Sequence, residues 1–381
     1  MEIWNAISQF FTQAINEGTI PFLFRQTLIY AVPLMIVALA GVCSERSGTI
    51  NLALEGIMIF GAFIGVMFVR VVQGWDWFAK AYEATENSMK VSPDISTILG
   101  MQGIVLLTML VTALLGAIFA MLLAFAAIHL KADQTIGGTA LNLLAPALVL
   151  FLIRIIANQN TLNMLNGDSP ANCFMLKESF FGYGMQITRV KKTESMGFLG
   201  QMFVDKVYPV TYVCILIFII IAVILYKTKF GLRLRSCGEN PQAADSLGIN
   251  VYKMRYSGVA ISGALAGMGG FVYAMTTANC SADGSVAGFG FLALAVMIFG
   301  NWKPWSIAGA ALLFGLFKCI SASYTTLDLN GDGIFWLKEI GVSAHVYRLL
   351  PYVITLIVLA FTSKSSRAPK AEGIPYDKST R

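Results

Sequence analysis

GIVLLTMLVTALLGAIFAMLLAFAAIHL, residues 103–130, runs for 28 positions without an Asp, Glu, Lys or Arg. A helix rises about 1.5 Å per residue, so roughly 20 apolar residues cross the hydrocarbon of a bilayer. This stretch is long enough, and so is the uncharged run YPVTYVCILIFIIIAVILY at 208–226. Lipid offers no hydrogen bonds, which leaves helices and closed barrels as the only spanning structures. An uninterrupted apolar run lacks the alternation of a barrel strand. The fold expected is therefore all-α and integral to the membrane.

The rest of the composition agrees. Apolar residues make up 56% of the 381 positions and charged residues 13%, with a mean hydropathy of +0.69; a soluble domain carries about 25% charged residues. The net charge of +6 is distributed as topology signals beside particular apolar runs, which points to a lipid environment and away from nucleic acid. The six cysteines show no metal-type spacing. They fall mostly in or beside apolar runs, where Cys acts as a small apolar residue. The first 24 residues contain no Lys or Arg, so the basic n-region of a secretory signal is missing. Residues 1–21 read instead as an amphipathic segment lying on the outer surface, with Trp4, Ile7, Phe10, Phe11 and Ile15 as its apolar side.

About nine spans are expected, at 22–43, 52–72, 103–130, 136–157, 207–226, 257–278, 285–300, 304–323 and 344–362. The seventh and eighth are short and Gly-rich, so one of them is expected to be broken or re-entrant. The strongest basic cluster, Lys227, Lys229, Arg233, Arg235, Lys253 and Arg255, lies between the fifth and sixth spans. The tail at 364–381 adds Lys364, Arg367, Lys370, Lys378 and Arg381. Both should be cytoplasmic, and the even number of spans between them makes the two signals agree. The N-terminus then lies outside, as do the loops at 73–102, 158–206 and 324–343. Arg70 and Arg154 at outer helix ends run against this orientation unless they snorkel.

The loop at 227–256 contains KFGLRLRSCGENPQAADSLGINVYKMRY, residues 229–256. Asn240 suits an N-cap and Pro241 the first helical position, where a missing N–H costs nothing. Ala243, Ala244 and Leu247 fit a helix of about two turns, and Gly248 is placed to end it in a left-handed conformation. By itself this is what any capped connecting loop looks like. Together with its neighbours it is more specific. G-E-N-P-x-A-A-x-x-x-G-I (Gly238, Glu239, Asn240, Pro241, Ala243, Ala244, Gly248), followed by SGALAGMGG at 262–270, resembles the coupling loop of ABC importer permeases of the branched-chain amino acid and simple-sugar (ribose) type. GVCSERSGTINLALEGIMIFGAF at 41–63 and GFGFLALAVMIFGNWKPW at 288–305 resemble the subgroup that imports nucleosides or simple sugars.

The resemblance, which runs from about residue 25 to the end with insertions, implies a transport subunit with no catalytic residues of its own. The helix at 240–248 would dock on a separate ABC ATPase subunit. A second, related permease chain would complete the pore in the bacterial cytoplasmic membrane, and a lipid-anchored receptor would deliver substrate from outside. The chain lacks a G-x-x-x-x-G-K-[ST] phosphate loop, so ATP hydrolysis would belong to the partner.

For the substrate pathway the candidates are Asn51, Glu55, Asn142, Phe289 and Phe291. GTINLA at 48–53 and GTALNLLA at 138–145 look alike, which suggests an internal repeat, and such repeats often set interrupted helices round a central site. Glu55 fits either a pathway lining or a first-turn carboxylate facing a helix dipole. Asn142 fits a lining or a bond to a neighbouring helix, and Pro146 one turn on favours a nearby cavity. Phe289 and Phe291 fit base stacking near the outer mouth or an ordinary interfacial belt. Gly263 and Gly267 form a small-xxx-small pair suited to close helix packing.

Residues 328–339, DLNGDGIFWLKE, fill the calcium-loop pattern D-x-[DN]-x-[DN]-G-x5-E. Asp328, Asn330, Asp332 and Glu339 supply side-chain oxygens, Ile334 a carbonyl, and Gly333 the sharp turn. A chance Asn/Gly/Asp-rich turn is the alternative. Among other function classes, an enzyme is disfavoured because the two histidines, His129 and His345, fall at opposite faces with no nucleophile beside them. An ion-coupled secondary transporter is the rival reading, and it would call for intramembrane carboxylates; only Glu55 approaches that position.

Overall fold

A computed structural model describes residues 19–72, 95–164, 206–323 and 368–378, with a few isolated residues besides. In chain order it contains α1 (Thr19–Glu45), α2 (Leu54–Val72), α3 (Ile95–Ile128), α4 (Gln134–Ala157), β1 (Leu162–Asn163), α5 (Pro209–Lys227), α6 (Lys229–Glu239), α7 (Pro241–Ser246), α8 (Val251–Thr276), β2 (Ser281–Ala282), α9 (Phe289–Phe299) and α10 (Pro304–Ser323). Among the described residues seven helices are long and apolar enough to span: α1 to α5, α8 and α10. The chain is an all-helical polytopic membrane protein.

Eight of the nine spans read from the sequence fall on described helices. The seventh is the short one, α9, at 11 residues. At 1.5 Å per residue that is about 16 Å, half of a bilayer's hydrocarbon. Most of the ninth, at 344–362, lies outside the described residues. So do nearly all of the proposed N-terminal surface segment, most of the long loops, and the whole calcium-type loop with Asp328, Asn330, Asp332, Ile334 and Glu339. The third helix starts at Ile95, earlier than the apolar run alone indicates.

Two helices form the middle of the bundle. In α1, Leu34, Val37, Ala38, Leu39 and Ala40 are completely buried, and in α8 every residue from Gly269 to Thr276 is buried. Glycine makes the inner packing possible. A Cβ added at Gly61 of α2 would sit 2.3 Å from the Gly267 carbonyl oxygen of α8, and one at Gly116 of α3 would sit 2.6 Å from the Gly263 carbonyl. Backbones can meet this closely only where neither side carries a side chain, as small-xxx-small packing requires. The Gly263/Gly267 pair is thus a three-helix junction of α2, α3 and α8.

The outer helices face the other way. Leu110 and Leu114 of α3, Leu143 and Phe151 of α4, and Leu216 of α5 are exposed, as side chains bathed in lipid should be. At the end away from α6 and α7, β1 and β2 pair antiparallel, Leu162 opposite Ala282 and Asn163 opposite Ser281. This ties the end of α4 to the chain leaving α8.

Candidate functional site

Between α1 and α2 the chain abandons helix for residues 46–53. Non-helical backbone at membrane depth must be satisfied by protein, and here polar side chains from three helices do it. Ser44 Oγ donates to the Thr49 carbonyl at 2.7 Å. The Ile50 N–H donates to Gln134 Oε1 at 2.7 Å. Asn51 Nδ2 donates to Ser262 Oγ at 2.9 Å, and Asn51 Oδ1 accepts from the Ala53 N–H at 3.1 Å. Asn142 Nδ2 donates to the Leu52 carbonyl at 2.7 Å and its Oδ1 accepts from the Gly56 N–H at 2.8 Å. Asn51 and Asn142, the two matching residues of the look-alike stretches, therefore grip the same segment. Ser262 is the twelfth residue of the 26-residue α8, so the segment enters the bundle from the basic end and reaches inward as far as that level of α8.

Glu55 follows directly and closes the gap to α9. Its Oε1 accepts from the Gly288 N–H at 3.0 Å, and its Oε2 from Gly290 at 2.6 Å and Phe291 at 3.3 Å. These are first-turn donors that α9 cannot pair internally, and the helix dipole favours a carboxylate there. Gly290 is required at this contact, since a Cβ would lie 2.5 Å from Glu55 Cα. The capping reading of Glu55 thus has a partner the sequence does not reveal: it serves α9, more than two hundred residues away, as well as opening α2.

Phe289 and Phe291 do not share a face. The Phe289 ring is buried, 4.7 Å from the ring of Tyr273 and 6.5 Å from that of Tyr30, with Lys318 Nζ 5.5 Å above it. Phe291 is exposed on the outside of α9. Lys318 was not among the sequence candidates, although a single cation inside the apolar run LLFGLFKCI is the kind of residue that marks a pathway.

At the basic end of the bundle lies the motif-bearing loop. Thr228 ends α5, its Oγ donating to the Ile224 carbonyl at 2.6 Å and accepting from the Gly231 N–H at 3.3 Å; one hydroxyl makes the corner. Asn240 caps α7, Oδ1 accepting from the Ala243 N–H at 3.0 Å. Pro241 occupies the first helical position, and Gly248 takes the left-handed conformation at φ 81°. Ala244 is buried in a small cluster with Cys237, Val251 and Tyr376, while Leu247 is 81% exposed. The loop touches the 46–53 segment: Arg46 pairs with Glu239 at 3.3 Å, and a Cβ at Gly238 would meet the Arg46 carbonyl oxygen at 2.4 Å.

The tail, residues 368–378, folds onto the same end. Its Ala371 N–H donates to the Gly238 carbonyl at 2.9 Å, and its Ile374 carbonyl accepts from Arg255 Nη1 at 2.9 Å. Tyr376 packs edge-on against Tyr252, and Asp377 pairs with Lys131. Burial pushes the Glu372 carboxyl above the usual carboxylate range, with its hydrogen bond to Glu45 and the Arg46 charge acting in the opposite direction. A cavity of about 330 Å³ lies between Asp245, the 248–252 stretch and Lys378. Among the described residues no group of His, Cys, Asp and Glu is arranged to hold a metal.

A bundle with a half-length helix, a buried non-helical segment between its first two helices and a capped helix pair at its basic end has a polytopic permease-type architecture. The chain belongs to the family described as the branched-chain amino acid transport system / permease component, whose model matches residues 23–359. It is 38% identical over 362 residues to the nucleoside ABC transporter permease protein NupC of Lactococcus lactis, covering 95% of this chain and 98% of that one. It is also 38% identical over 356 residues to the guanosine ABC transporter permease protein NupQ of Bacillus subtilis, covering 93% and 96%. A second Lactococcus lactis protein, the nucleoside ABC transporter permease protein NupB, is 25% identical over 351 residues, covering 91% and 85%. No solved structure matches the chain.

Proposed function

We propose that this chain is the permease subunit of an ABC importer that carries a nucleoside, or a related ribose-containing solute, across the bacterial cytoplasmic membrane. The observation that carries the reading is the α6–α7 pair. It presents exposed Leu247 beside a cavity, and through Gly238 and Glu239 it bears on Arg46 at the start of the segment that holds Asn51 and leads into Glu55. A surface open to a partner on one side and packed against the 46–53 segment on the other is what an externally driven permease needs. The relatives, named for nucleoside and guanosine transport, support the substrate class.

The basic residues Lys227, Lys229, Arg233 and Arg235 make the α6–α7 end cytoplasmic. The tail docks at that end, so the C-terminus is cytoplasmic too, and the N-terminus is outside. The ATPase docks on α6–α7. A second, different permease completes the pore, in keeping with the two dissimilar nucleoside permeases of Lactococcus lactis. A lipid-anchored receptor delivers solute from outside. Asn51, Glu55, Asn142 and Phe289 border the pathway, with the two asparagines shaping its non-helical wall, while Phe291 lies on the outer face of α9.

Ala244→Arg tests the coupling surface. Ala244 is 2% exposed, so a long cation there pushes α7 off its seat. Transport per ATP should fall at least tenfold while the membrane bundle stays folded. Unchanged coupling in a folded Ala244→Arg protein would refute the docking role of α7.

A further inference from the structure

Helix α9 is held at both ends by one short stretch of chain. At its N-terminus, Glu55 takes the Gly288, Gly290 and Phe291 N–H groups. Just beyond its C-terminus, the Trp302 indole N–H donates to the carboxylate of Glu45, a bond between buried partners. Glu45 and Glu55 bracket the 46–53 segment. The turn carrying Trp302 is not a relaxed one: Asn301 and Trp302 are both left-handed, at φ 51° and 55°. Non-glycine residues adopt that conformation as a pair only when their surroundings impose it. Two bonds do so here, Trp302 to Glu45 and Tyr226 Oη to the Trp302 carbonyl at 2.6 Å.

We infer that Glu45 and Trp302 are positioning residues that tie α9 to the 46–53 segment, so that α9 moves with the α6–α7 pair. The chain of contact is unbroken. Glu239 and Gly238 of α6 hold Arg46, the residue after Glu45, and Glu45 and Glu55 hold the two ends of α9. Because α9 spans only the half of the bilayer on the α6–α7 side, a shift of this unit opens or closes that half of the pathway beneath Glu55. Gly41 adds to the linkage, since a Cβ there would lie 2.7 Å from Met297 Sδ of α9, leaving α9 flush against α1.

The inference rests on the proposed transport function, and its test separates the two. In proteoliposomes with the partner ATPase, second permease and receptor, Trp302→Phe keeps an aromatic side chain, though a smaller one, and deletes the donor, and Glu45→Leu deletes the acceptor. Each should lower guanosine moved per ATP about tenfold, with ATP hydrolysis within twofold of wild type. Glu45→Gln, which still accepts, should retain wild-type coupling. A purely structural role would instead lower assembly, hydrolysis and transport together. Spin labels at Leu247→Cys and Ile298→Cys give a second readout. Their separation should hold within about 2 Å between nucleotide-free and ATP-bound wild-type complexes, and should broaden in Trp302→Phe. Wild-type coupling in both Trp302→Phe and Glu45→Leu, or a change of more than 5 Å between the labels in wild type, would overturn the inference. Uptake by wild type that needs no ATP would remove the transport reading itself, and the inference with it.

Discussion

Replacing Asn142 by Leu keeps the branched shape of the side chain and removes both bonds to the non-helical segment. The Leu52 carbonyl loses its donor at 2.7 Å and the Gly56 N–H its acceptor at 2.8 Å. Leaving a buried polar group unpaired costs about 1–3 kcal/mol. Two groups are affected, but Leu52 is only partly buried, and polar bonds in membranes average nearer 0.6 kcal/mol because freed groups find other partners. About 2 kcal/mol is therefore expected, which is roughly a 30-fold rise in the open population of the segment. The loss is local, since Gln134 and Asn51 still hold Ile50 and Ala53. Hydrogen exchange read by mass spectrometry should show peptides covering 47–57 exchanging about 30-fold faster, with α8 peptides unchanged, because local opening sets exchange there. Unaltered exchange in 47–57 would show that Asn142 does not organise the segment.

Gly61→Ala should lower thermal stability by about 1–3 kcal/mol, the usual cost of overpacking, because its Cβ meets backbone 2.3 Å away; Gly103→Ala, which meets nothing within 4 Å, serves as the unaffected control in the same melting assay. Tail docking should weaken as pH rises. Burial in the docked tail raises the Glu372 pKa, against the lowering effects of Glu45 and Arg46, from about 4.3 when free, so docking is favoured below the free value and loses that advantage as pH climbs through the docked one. Protease cleavage of the tail should accordingly be slowest near about pH 4 and quicken as the pH rises, and Glu372→Gln should flatten the rise. In the 328–339 loop, millimolar calcium should raise the melting temperature of wild type and not of Asp328→Ala/Glu339→Gln; identical responses would leave only a turn.

Continuous apolar runs were readable because lipid makes length and charge sufficient to locate a helix. The α7 cap was readable because Asn240, Pro241 and Gly248 each have a local reason for their place. Gly263 and Gly267 announced close packing, though not with which helices. What escaped was everything set by pairing across the chain. The Glu55 partner lies at 288–291, and no local pattern ties a carboxylate at 55 to amides there. Glu45 with Trp302, and Gln134 with Ile50, are unexceptional residues at helix ends until the fold brings them together. Lys318 is legible as an isolated cation in an apolar run, but only the fold shows that it lies over the Phe289 ring. Phe289 and Phe291 looked like a pair, but neighbours two apart on a helix point in different directions, and only one ring reached the interior.

The most direct test of the central claim is radiolabelled guanosine uptake into proteoliposomes containing this chain with its partner ATPase, second permease and receptor. Uptake should require ATP inside together with the ATPase, and should persist when proton and sodium gradients are collapsed. Uptake by this chain alone, driven by an ion gradient and indifferent to ATP, would contradict the account.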